Sequence, residues 1–148
     1  MKDVQPSAPF DTGVAVDTGT ETVTAAIVDQ VGVIEMNRPD RRNALHEEMY
    51  DAIPELIGRF ETDDSIRAIV ISGAGNAFCA GGDVQAGADR SKADKARSGE
   101  LTKRQPGSLE HNARMILRLR QSRLLSVAAI TGPAVGAGLS IALAADLR

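Results

Sequence analysis

The chain has 148 residues, with 17 Lys and Arg against 20 Asp and Glu and a formal net charge of −3. At 43% hydrophobic and 25% charged it has an ordinary globular composition, and its length suits one domain with a modest core. The mild acidity excludes a general nucleic-acid binder, which carries a basic surplus. One Cys excludes an internal disulfide framework, and neither of the two His has a metal-ligand spacing, so no metal is expected. With 3% aromatics and no Trp, the core must come from Val, Ile, Leu, Ala and Met. The N-terminal residues show no basic stretch followed by an apolar run, so no signal peptide is read and a cytoplasmic location is expected.

Residues 1–21 are rich in Asp, Thr, Gly, Ser and Pro, which predicts a flexible tail, with the folded unit over residues 22–148. Two apolar stretches, residues 23–28 and 31–36, flank Asp29-Gln30 and read as a β-hairpin. A polar connection, Asn37-Arg38-Pro39-Asp40-Arg41-Arg42-Asn43, follows, and Asn43 can cap a helix. Leu45, Met49, Ala52, Ile53, Leu56, Ile57 and Phe60 supply its apolar face. Pro54 falls inside that pattern and should kink or weaken the helix.

Residues 66–72 are a short β-rich run closed by the turn Gly73-Ala74-Gly75-Asn76, and a second small-residue passage covers residues 77–84. Residues 85–108 are polar, with six basic and three acidic side chains, and read as a mobile loop or marginal helix. Helical spacing returns at Leu109, Ala113, Ile116, Leu117 and Leu119. A strand over residues 126–130 and a small-residue helix over 136–145 complete an alternating α/β pattern. Residues 126–145 carry no charge and are long enough to span a bilayer. Their Ala and Gly content and the Gly132-Pro133 break favour a buried strand, turn and helix.

Two glycine-rich corners can carry chemistry: Phe78-Cys79-Ala80-Gly81-Gly82-Asp83 and Gly132-Pro133-Ala134-Val135-Gly136-Ala137-Gly138. Neither is a Walker phosphate loop or a complete dinucleotide fingerprint. A backbone this poor in side chains lets N–H groups approach a ligand closely. At a helix start those groups are unpaired and sit at the positive end of the dipole. Two such corners together can aim donors at one developing oxyanion, each worth roughly 2.7–4 kcal/mol of barrier lowering. The plainer alternative is that these glycines serve tight turns and close packing.

Taken in order, three blocks resemble the crotonase superfamily, the enoyl-CoA hydratase/isomerase proteins. They are Asn37-Arg38-Pro39 with Arg42-Asn43-Ala44-Leu45, then Gly75-Asn76-Ala77-Phe78-Cys79-Ala80-Gly81-Gly82-Asp83-Val84, then Val127-Ala128-Ala129-Ile130-Thr131 running on into the second corner. The resemblance covers residues from about 23 to the end. It implies a superhelix of repeated ββα turns, represented here by its N-terminal part up to the second oxyanion-hole helix. It implies an acyl-CoA substrate whose thioester oxygen is held, as it becomes enolate-like, by the N–H groups of Gly82 and Ala137. Arg42, Ala44, Ala80, Asp83 and Val84 would line the CoA site, Arg42 on phosphate and the rest mainly through backbone contacts. For Arg42 a solvated loop charge, and for Asp83 a local cap, are the plainer readings. No separate cofactor is implied, because coenzyme A arrives as part of the substrate. A homo-oligomer, trimer or dimer of trimers, is the implied assembly, with no nucleic-acid or membrane partner.

One departure limits the reading. Hydratases of this family use two glutamates to handle water; Ser140 stands at the first, and the second would fall beyond residue 148. Serine is no carboxylate base without a partner, so Ser140 reads as a packing residue. Isomerisation or other enolate chemistry therefore competes with hydration. A catalytically silent acyl-CoA-binding subunit and a membrane-associated protein remain as alternatives. His46 is expected at the surface, Glu110 and His111 at a helix start, and Cys79 as a small buried hydrophobe. The net positive charge of residues 85–108 suits either CoA phosphates or plain solvation. The last strand–helix unit should show an uncovered apolar face, which usually finds a partner.

Overall fold

The structure, a computed structural model, describes residues 13–83 and 107–148. Five strands form one sheet in sequence order: β1 (Val14–Val16), β2 (Val23–Val28), β3 (Val31–Met36), β4 (Ala68–Gly73) and β5 (Leu125–Ala129). The β2–β3 hairpin turns at Asp29, whose φ of +54° Asp tolerates better than most residues, and pairs Val23 with Met36 and Val28 with Val31. From β3 onward the pairing is parallel, Val31 with Ala68 and Ala68 with Leu125. Parallel neighbours need crossovers, and helices supply them: α1 (Glu47–Thr62) between β3 and β4, and α2 (Gly107–Arg120) between β4 and β5. A third helix, α3 (Ala137–Ala144), follows β5.

Residues 1–12 lie outside the described part, but the segment expected to be a loose tail already contains β1. Val14 pairs with Ile27 and Val16 with Ala25. Three residues of alternating Val and Ala are too short a pattern to register against the polar composition around them. The core lies on one face of the sheet. Ile34, Met36, Ile69, Ile71 and Ala128 meet Met49, Ile53, Leu56, Ile57 and Phe60 of α1 and Met115 and Leu119 of α2. Helix α1 runs through Pro54 as one element, contrary to the expected weak middle. A proline costs about 3 kcal/mol in a helix interior. Each of those five large buried side chains returns about 1.5–3 kcal/mol, which outweighs it.

The helix does not start where the sequence suggested. His46 occupies the N-cap position and its N–H donates to the Met49 sulfur at 3.3 Å, while Asn43 is used elsewhere. Residues 126–145 form most of β5, a turn and the eight-residue α3. No helix among the described residues is long and apolar enough to cross a membrane. The expected uncovered face is present: Leu139 and Leu143, one turn apart on α3, are 46% and 57% exposed, and Val135 and Leu147 are exposed beside them. The other sheet face carries an open cavity of about 490 Å³ floored by Val31, Val33, Glu35, Val70 and Ala129.

The chain end is fastened to β5 by a reciprocal clasp. The Ser126 hydroxyl and N–H donate to the Asp146 carboxylate at 2.7 and 2.9 Å, and the Asp146 N–H returns a bond to the hydroxyl at 3.0 Å. The Ser126 hydroxyl, then its amide, hold the Asp146 carboxyl below the ordinary carboxylate range. A depressed carboxyl stabilises the fold above the unfolded pKa of about 3.9, and that contribution fades as pH falls through the lower folded value. Asp146→Asn is therefore expected to lower the Tm at pH 7 and to differ less from the parent below about pH 4. Equal Tm differences at pH 7 and pH 3 would contradict this assignment.

Candidate active site

Each parallel strand is followed by a second extended segment before its helix. These segments form a smaller parallel ladder of their own, with Leu45 bridging Gly82 and Cys79 bridging Ala134. The architecture is thus three successive strand–bridge–helix turns, β3–Leu45–α1, β4–Cys79/Gly82–α2 and β5–Ala134–α3. Both glycine-rich corners lie on this ladder. Phe78 and Cys79 N–H groups donate to the Pro133 carbonyl at 3.1 Å, and the Val135 N–H donates to the Cys79 carbonyl at 2.9 Å. From the bridged pair Cys79 and Ala134, three residues forward on each strand lead to Gly82 and Ala137.

Packing between the corners is tight enough to exclude side chains. A Cβ at Gly138 would lie 2.4 Å from the Cys79 carbonyl oxygen, so the first turn of α3 is pressed onto Cys79. At Gly81, with φ +91°, a Cβ would meet the Val135 carbonyl oxygen at 2.9 Å and the Ala137 nitrogen at 3.4 Å. Only a glycine's missing side chain thus separates the residue before Gly82 from the Ala137 amide.

Among the described residues both amides are uncommitted. Leu45 bonds the flanks of Gly82, accepting from the Asp83 N–H at 3.2 Å and donating to the Gly81 carbonyl at 2.7 Å. In a parallel ladder such a residue presents its own N–H on the opposite side, toward the next strand. That next strand leaves the ladder at Gly136 (φ +55°) to start α3. Ala137 is the first residue of α3, where the N–H has no intrahelical acceptor. Among the described residues, neither the Gly82 nor the Ala137 N–H donates to a protein acceptor. Gly82 is exposed and Ala137 half-buried. Two free donors beside a helix N-terminus can bind an oxygen carrying negative charge.

The other expected site residues lie along the same ladder, with one outside the described part. The exposed Arg42 accepts a bond from the Ala80 N–H at 2.9 Å through its carbonyl. The Ala44 carbonyl accepts from Arg38 at 2.6 Å. Val84 lies outside the described residues, as do residues 85–106 of the basic segment. The Asp83 side chain reaches beyond a purely local cap. Its carboxylate forms an ion pair at 2.8 Å with Arg38, 45 residues earlier, with only 17% and 10% of the two side chains exposed.

Arg38 was missed in sequence although it stands in the Asn37-Arg38-Pro39 block, because nothing local shows which carboxylate a loop arginine reaches. Asn43 is a second such residue. Fully buried with φ +55°, it donates from Nδ2 to the carbonyls of Ala74 (2.9 Å) and Ala77 (2.8 Å) and accepts the Arg38 N–H at 2.9 Å. It ties the first turn of the spiral to the second.

Cys79 is buried, with its thiol pKa pushed up by desolvation, and its sulfur accepts the Gly81 N–H at 3.4 Å, as suits a small hydrophobe. Ser140 donates to the Gly136 carbonyl one turn back at 3.3 Å. Glu110 is exposed in the first turn of α2. His46 is half-buried beside Glu48, at 3.8 Å.

Comparison with known proteins places this geometry. The enoyl-CoA hydratase/isomerase family model matches residues 26–148. "Probable enoyl-CoA hydratase EchA14" of Mycobacterium tuberculosis is 38% identical over 129 residues, covering 86% of this chain and 46% of that protein. "Probable enoyl-CoA hydratase echA6" of Mycobacterium bovis is 40% identical over 121 residues, covering 81% and 43%. The crystal structure of an enoyl-CoA hydratase/isomerase from Xanthobacter autotrophicus Py2 superposes with a TM-score of 0.71 at 28% identity, over 84% of this chain and 44% of that one. The chain thus spans about half the length of the relatives it matches. With its spiral of strand–bridge–helix turns, the chain belongs to the enoyl-CoA hydratase/isomerase family and has the crotonase fold.

Proposed function

We propose that the protein binds an acyl-CoA thioester and stabilises its enolate through the N–H groups of Gly82 and Ala137. What supports this is the close approach of the two corners, the Ala137 nitrogen lying 3.4 Å from where a Cβ on Gly81 would stand, with both neighbouring donors unspent among the described residues. A thioester carbonyl gains negative charge on oxygen as the α-proton leaves, and donors already in place stabilise that charge without reorganisation. Arg42, Ala44, Ala80, Asp83 and Val84 line the CoA side, with the exposed Arg42 on phosphate. Asp83 contributes by holding the corner through Arg38. Coenzyme A enters as substrate, and this chemistry asks for no further cofactor. The exposed leucines of α3 suit burial in a homo-oligomer, a trimer or dimer of trimers.

Ser140 favours a second reading, a silent acyl-CoA-binding subunit. Its hydroxyl is bonded to the Gly136 carbonyl, and among the described residues it makes no hydrogen bond to a base. A 3-ketoacyl-CoA probe tests the enolate step without needing a catalytic acid. Acetoacetyl-CoA bound to the full-length protein is expected to develop the near-ultraviolet absorbance of its enolate, and CoA alone to bind without it. Binding with no enolate band supports the silent subunit, and absence of binding overturns both readings.

A further inference from the structure

We infer that the Tyr50 hydroxyl is a third hydrogen-bond donor of the acyl site, directed at the enolate formed beside Gly82. This rests on the enolate reading above and deepens it. Tyr50 lies in the first turns of α1, on the helix's buried side, and is 8% exposed. Among the described residues, the position that a Cβ on Gly82 would take has one neighbour within 4 Å, the Tyr50 hydroxyl at 3.9 Å. The phenol oxygen therefore stands beside the exposed Gly82 backbone.

That hydroxyl makes no hydrogen bond among the described residues, and it is not a sealed, orphaned atom. A buried tyrosine usually satisfies its hydroxyl, so an unspent one beside an exposed glycine is available to a ligand. Burial raises the phenol above its ordinary pKa, so it stays protonated and acts as a donor rather than a base. The His111 ring, 6.3 Å away centre to centre, flanks it from α2. A glycine at 82 is what leaves the hydroxyl uncovered. Ser140, by contrast, is back-bonded to its own helix, and among the described residues other than its chain neighbours Tyr50 alone brings a side-chain atom within 4 Å of that Cβ position.

Tyr50→Phe in the full-length protein removes only the oxygen. The enolate fraction of bound acetoacetyl-CoA is expected to fall roughly 10-fold or more, as for loss of a bond to a charged group. Affinity for CoA alone and the Tm should stay within error. An unchanged enolate fraction in a folded Tyr50→Phe variant overturns the inference.

Fluorescence gives a second readout. Tyr50 is the sole tyrosine among these 148 residues, which hold no Trp, so the difference between the parent and Tyr50→Phe reports this residue alone. Acetoacetyl-CoA should change that fluorescence beyond the effect of CoA, and an identical response to both ligands counts against the inference. Ala137→Pro separates the two levels. If it abolishes the enolate band while Tyr50→Phe does not, the hydroxyl's role fails alone. If neither variant alters the band, the enolate reading itself fails.

Discussion

Ala137→Pro should lower kcat/KM toward an enoyl-CoA by roughly 10²–10³-fold while leaving the fold intact. The substitution is unusually clean at this position. Ala137 is the first residue of α3, the place where helices accept proline best, because that N–H has no acceptor in the helix. Proline restricts the residue before it, but Gly136 at φ +55° and ψ −122° sits in a mirror-image extended conformation open to glycine. The ring replaces the donor with a methylene aimed at the same space, so the incoming oxygen meets carbon instead of N–H. Circular dichroism and Tm should match the parent within a few degrees. Parent-like turnover from such a folded variant would remove Ala137 from the mechanism.

Asn43→Ala is the corresponding blow to stability, at about 3–5 kcal/mol. Two carbonyls, Ala74 and Ala77, and one amide, Arg38, lose their side-chain partner at a site where Asn43 itself is fully buried. Each buried group left unpaired costs about 1–3 kcal/mol. Alanine also tolerates φ +55° less well than asparagine does. Denaturant unfolding checks it through the midpoint. Asn43→Asp discriminates further: it keeps the acceptor for Arg38 but sets a buried carboxylate oxygen against two carbonyl oxygens, so at pH 7 it should destabilise at least as much as Asn43→Ala. A loss below about 1 kcal/mol for Asn43→Ala would show that water replaces the side chain there.

Asn43 also shows where reading a sequence stops. An asparagine just before an amphipathic run looks like a helix cap, and local pattern cannot distinguish a cap from a residue that bonds two carbonyls more than 30 residues away. The β2–β3 hairpin and α1 were legible because their signals, alternation and 3.6-residue spacing, are local. Tyr50 escaped notice since its ring reads as one more apolar position, although a lone tyrosine on a buried face is itself a hint. The two corners were readable as chemistry from their glycines, while their pairing through Cys79 and Ala134 belongs to the ladder. The Arg38–Asp83 ion pair spans 45 residues and had no trace in spacing.

The smaller ladder carries a consequence for how such a site tolerates change. Neighbouring strands stand about 4.8 Å apart. Two amides held at that separation can each reach a common acceptor at about 2.9 Å, subtending an angle near that between an oxygen's lone pairs. In the proposed site, strand spacing at the Cys79–Ala134 bridge thus works as a gauge between the two corners, and the turn at Gly136 sets where Ala137 stands relative to it. Insertions between Asp83 and α2, away in sequence from both bridged segments, need not reset that gauge.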